Sequence, residues 1–122
     1  MNTILVNKTT KTPEVKFDSA TGFLEIEGRL IPENPDVFFE VLFNSIVEFN
    51  KQSPYVIRLS LDYYNTTSSK RLLHFFQKLD MMFQDGCNMR IIWEYETGDE
   101  DSMRDGEDYC SLLKIPFELK RV

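Results

Sequence analysis

One stretch, Ile57 to Lys70, restricts the fold of this chain more than any other. Ile57, Leu59 and Leu61 alternate with Arg58, Ser60 and Asp62, the period of a strand with one apolar face, and Leu72, Phe76, Leu79 and Phe83 then recur at helical spacing. Between them lies Asp62-Tyr63-Tyr64-Asn65-Thr66-Thr67-Ser68-Ser69-Lys70, so a strand hands directly to a helix through a run of hydroxyls. The first turn of a helix leaves backbone N–H groups without partners and concentrates positive dipole there. Hydroxyls at that point either cap the helix or carry a phosphate favourably.

The rest of the chain supplies what this unit packs against. Residues 1–12 read as an N-terminal arm, because Asn7 to Thr12 carry neither periodicity nor turn chemistry; residues 13–122 read as a single domain. Glu14 to Phe17 and Phe23 to Gly28 form a hairpin around the turn formers of Asp18 to Gly22. Asn34-Pro35-Asp36 starts a helix with a cap, a first-turn proline and a dipole-matched acid. Its stripe is Phe38, Leu42, Ile46 and Phe49, and Gln52-Ser53-Pro54 ends it. The second helix is expected from about Thr67 to Gln84, followed by a strand from Met89 to Glu96. An acidic helix from Asp99 to Leu113 buries Met103, Tyr109, Leu112 and Leu113, with Gly106 a weak point, and Ile115 to Lys120 closes the chain as an edge strand. The order β-β-α-β-α-β-α-β predicts an α/β fold with a mixed sheet and right-handed crossovers. Polar alternates at Arg58, Ser60 and Asp62, and at Arg90, Glu94 and Glu96, predict helices mainly on one face.

Composition narrows the partners. A net charge of −6 argues against nucleic acid or an anionic membrane surface, which are bound through Lys and Arg. The Ile4-Leu5-Val6 run is too short for a secretory leader, and no run approaches a membrane span, so the cytoplasm is the expected location. Cys87 and Cys110 lack metal-site spacing and read as structural thiols. Asp99 and Asp101 imitate a calcium loop only until Met103 and Arg104 fall where a ligand and a glycine belong. The glycines stand singly, which gives no phosphate loop and no nucleotide cofactor. His74, the sole histidine, has no defined acid or nucleophile beside it. An enzyme using His74 and the acidic cluster of Glu96, Asp99, Glu100, Asp101, Asp105, Glu107 and Asp108 is therefore only the second alternative to a binding module without catalysis. The hydroxyl run remains, and four hydroxyls exceed what one cap requires. A phosphate there would add about −1.5 to −2 charges and reach backbone N–H groups and Lys70 or Arg71.

Together these residues resemble the SiaC-type bacterial regulatory phosphoproteins, which are related in architecture to the STAS-domain anti-sigma-factor antagonists. The similarity runs through Thr12-Pro13, Gly28-Arg29, Ile31-Pro32-Glu33-Asn34, Leu61 to Ser68, the Trp93 strand, Gly106-Glu107-Asp108-Tyr109 and Ile115-Pro116-Phe117. It implies a STAS-like fold. It also implies that Thr66 is the phosphoacceptor, because Asn65-Thr66-Thr67-Ser68 matches the family's Asn-Thr-Ser-Ser; the substitution makes Thr67 the alternative acceptor. The partner surface then comprises Tyr64, Asn65, Thr66, Thr67, Ser68 and Lys70. The implied partners are a Ser/Thr kinase of the histidine-kinase-like ATPase fold, a PP2C-type phosphatase, and a target such as a diguanylate cyclase, bound and activated by the unphosphorylated form. An anti-sigma-factor antagonist is the alternative within the same class.

Overall fold

The computed structural model describes residues 2–122. Its elements follow the order β1 (Asn2–Val6), β2 (Glu14–Asp18), β3 (Phe23–Leu30), α1 (Pro35–Ile46), β4 (Tyr55–Tyr64), α2 (Thr66–Gln84), β5 (Met89–Tyr95), α3 (Glu100–Leu112) and β6 (Phe117–Arg121). The six strands lie in one sheet in sequence order. β1, β2 and β3 are antiparallel neighbours, and β3 to β6 are parallel.

The alternation along the strands places one face in the core. Leu24, Ile26, Ile57, Leu59, Ile91 and Trp93 are buried there against Phe38, Leu42 and Ile46 of α1 and Leu72, Phe75, Phe76 and Leu79 of α2. Among the described residues no helix covers the other face, which carries charges instead. Arg58 sits at its centre, donating to Glu25 at 2.6 Å, Glu27 at 2.9 Å and Glu94 at 2.7 Å. Burial alone would push this guanidinium's pKa down, but the three carboxylates more than offset it and raise it.

Three expectations change. Residues 2–6 are the edge strand β1 instead of an arm, which adds a strand to the expected order. Its backbone pairs with β2 and Leu5 and Val6 pack on the core, so the strand owes its form to the neighbour more than to its own pattern. α1 stops at Ile46, because Asn50 Oδ1 accepts from the backbone N–H of Gln52 and Ser53 and turns the chain. Phe49 thereby leaves the helical stripe and stacks on Tyr55, ring centroids 3.8 Å apart. α3 buries Ser102, Gly106 and Tyr109, while Leu112 is 64% exposed.

Gly106 is thus a point of close approach. A Cβ there would stand 2.6 Å from Trp93 Cδ1, and Trp93 Nε1 donates to the Ser102 carbonyl at 2.9 Å. Alanine gains about 1 kcal/mol of helix propensity, but overpacking costs roughly 1–3 kcal/mol. Gly106→Ala is expected to lower the urea midpoint and alter Trp93 emission as α3 lifts from β5.

Candidate functional site at the strand-to-helix junction

Pairing with β3 resumes after a one-residue register shift between Gly28 and Arg29, through Arg29↔Tyr63 and Leu30↔Tyr64, so β4 runs beyond the expected Asp62 and delivers Asn65 directly to the start of α2. Asn65 is extended (φ −96°, ψ 175°), and its Oδ1 accepts from Ser68 N at 2.9 Å. The cap of α2 is therefore Asn65, not one of the hydroxyls. Thr66 becomes the first helical residue, one position earlier than its spacing predicted.

With the cap taken, the four hydroxyls divide. Thr66 and Thr67 are exposed. Ser68 is fully buried, and its Oγ makes no hydrogen bond. Ser69 is bound to α3: the Tyr109 phenol donates to the Ser69 carbonyl at 2.9 Å, so Ser69 Oγ is the donor in its 2.8 Å contact with the phenol oxygen. Ser68 is thus buried and the half-buried Ser69 engaged by Tyr109, and two exposed hydroxyls remain without such a tie.

Thr66, and not Thr67, lines a cleft of about 290 Å³ with Tyr64, Asn65, Ser69 and Asp105. A neighbouring cleft of about 210 Å³ shares Tyr64 and Asp105 and extends to Asp62, Asp99 and Asp101. Asp99 caps α3, with Oδ1 accepting from Ser102 N at 3.1 Å, so the helix begins one residue later than expected. Asp105 instead turns to the junction, where Tyr64 donates to its Oδ2 at 2.5 Å. Neither cleft is lined by Lys or Arg. Arg71 pairs with Asp36 of α1, which leaves exposed Lys70 as the nearer cation in sequence. His74 is exposed on α2, and no hydrogen bond joins it to the acidic cluster among the described residues.

Burial, together with the Asp105 carboxylate, pushes the Tyr64 phenol far above its ordinary value. Burial is also the main reason Tyr109 is pushed up to about 12, with Asp105 and Asp108 adding to it and the Ser69 hydrogen bond working the other way. An unfolded phenol titrates near 10. The stability from a protonated Tyr109 is therefore fully present below about pH 10 and is lost as pH rises from there through about 12. Melts at stepped alkaline pH are expected to show that decline, and Tyr109→Phe, which has no proton to lose, should make it shallower, the part that remains coming from Tyr64.

A larger cavity, about 560 Å³, lies at the far end of β4 beside Phe17, Phe49 and Tyr55, away from the hydroxyl run. No helix among the described residues is long and apolar enough to cross a membrane.

Comparison with known proteins gives a consistent result. The model of a family described as SiaC family regulatory phosphoprotein matches residues 6–122. An uncharacterised protein of Pseudomonas aeruginosa strain UCBPP-PA14 is 25% identical over 122 residues, spanning 98% of this chain and 97% of that one. The crystal structure of apo-SiaC from Pseudomonas aeruginosa shares the fold with a TM-score of 0.85 at 23% identity, covering 98% of each chain. So does the structure of the diguanylate cyclase SiaD in complex with its activator SiaC from the same organism, with a TM-score of 0.84 at 24% identity over 96% of this chain and 98% of that one.

Proposed function

The chain belongs to the SiaC family of regulatory phosphoproteins, and on that footing we propose that it is a partner switch without catalysis of its own. Unphosphorylated, it binds and activates a diguanylate cyclase; phosphorylation of Thr66 releases the cyclase. A Ser/Thr kinase of the histidine-kinase-like ATPase fold adds the phosphate, and a PP2C-type phosphatase removes it. The single observation that carries the choice of Thr66 is the division of the hydroxyls: Asn65 makes the cap, Ser68 is buried, Ser69 is bound to Tyr109, and of the two exposed threonines only Thr66 lines a cleft. The surroundings suit docking. The Arg71–Asp36 ion pair joins the second turn of α2 to the first turn of α1, and Tyr63 and Val37, 53% and 58% exposed, add apolar surface at this end of the sheet. A cyclase as target is supported by the SiaD–SiaC complex, a property of that pair carried here by family membership.

The test is to incubate the protein with its cognate kinase and ATP and map the product by fragmentation. One phosphate on Thr66, absent from Thr66→Ala, is expected. Phosphate on Thr67 alone would move the switch by one residue, and phosphate on Ser68 or Ser69 would contradict the division of hydroxyls.

A further inference from the structure

We infer that a phosphate on Thr66 is read within the molecule by Asp105, and that helix α3 is the element it displaces. This rests on Thr66 as the acceptor and adds where its charge acts. Thr66 and Asp105 line the same cleft, to which the chain contributes no Lys or Arg, and the second cleft beyond Asp105 is lined by three further carboxylates, Asp62, Asp99 and Asp101. Arg71, the guanidinium one turn on, is engaged by Asp36 of α1. A group carrying about −1.5 to −2 charges at Thr66 therefore faces a carboxylate inside the cleft, while exposed Lys70, four residues on along α2, is not among the residues that line it.

The backbone N–H groups of α2 stabilise that phosphate where it is, so Asp105 is the charge that yields. Moving it breaks the 2.5 Å hydrogen bond from Tyr64. Asp105 does not move alone, because α3 is pinned near it by the Trp93 Nε1 bond to the Ser102 carbonyl and by the contact of Gly106 with the Trp93 ring. The second tie to the junction, Ser69 with Tyr109, is one turn further along α3 and keeps that end of the helix on α2. The N-terminal half of α3 is consequently the part that swings, and Trp93, the chain's only tryptophan, reports it.

The experiment installs phosphothreonine at position 66 during synthesis, so that it depends on neither the kinase nor the target. Hydrogen exchange of the amides of residues 103–106 and Trp93 emission are then read in four proteins: wild type and Asp105→Asn, each with and without the phosphate. Asparagine retains an acceptor for Tyr64 and removes the charge. In the wild-type background the phosphate should speed α3 exchange by about tenfold and shift Trp93 emission, and in Asp105→Asn it should do neither. Unchanged α3 exchange in the wild-type phosphoprotein would overturn the inference, as would an equal acceleration in Asp105→Asn. Loss of target binding by the phosphoprotein with α3 unmoved would refute this relay while leaving the switch at Thr66 standing.

Discussion

Replacing Asp80 with alanine is expected to cost roughly 3–5 kcal/mol of stability. Asp80 lies on α2 at 9% exposure. Its Oδ1 accepts from the backbone N–H of Lys114 at 2.8 Å and Ile115 at 2.7 Å, and its Oδ2 accepts from Gln84 Nε2 at 2.8 Å. Those two amides begin the return from α3 to β6, and Ile115 is itself 2% exposed. Hydrogen bonds to a charged acceptor contribute about 1.5–3 kcal/mol each, and removing the acceptor strands donors that water does not reach. A domain of this size has about 5–15 kcal/mol in all, so Asp80→Ala should melt roughly 10–20 °C lower. Asp80→Asn keeps one acceptor oxygen and should lose less than half as much. Thermal melts of the two variants check both values, and an Asp80→Ala melt within 3 °C or so of wild type would show that the α3–β6 turn is held by packing alone.

Asp80 also marks the boundary of what the sequence reveals. It stands four residues after Phe76, inside the apolar stripe of α2, and an acid at such a place must have a partner. The period exposes that need but cannot identify amides more than thirty residues away. The same limit divides the site. The strand and the helix after it are local, and local periods locate them to within a residue or two, although the cap falls to Asn65 where a hydroxyl was expected. That Thr66 would be open while Ser69 is bound depends on Tyr109, and the polarity of the cleft depends on Asp105; both contacts join residues about forty positions apart. β1 escaped for a related reason, since its five residues are ordered by pairing with β2. Gly106 reads in sequence as a weakness in a helix, yet it is where α3 reaches Trp93.

The second large effect is on binding. A phosphate at the centre of a docking surface must lose water when the partner seats, and an uncompensated charge there costs several kcal/mol. About 2.7 kcal/mol of that suffices for a hundredfold loss of affinity. The fold itself tolerates the charge, because an anion at a helix N-terminus is favoured by about 0.3–1 kcal/mol. Since Asn65 and not Thr66 caps α2, Thr66→Ala should alter stability by no more than about 0.5 kcal/mol and remain fixed in the binding form. Thr66→Asp should fold normally and bind weakly. The most direct test is a calorimetric titration of the partner cyclase with unmodified protein, Thr66→Ala, Thr66→Asp and the Thr66 phosphoprotein, each also melted to establish that it is folded. The switch predicts equal affinity for the first two, a loss for Thr66→Asp, and a roughly hundredfold loss for the phosphoprotein. Equal affinity across all four folded forms would contradict it.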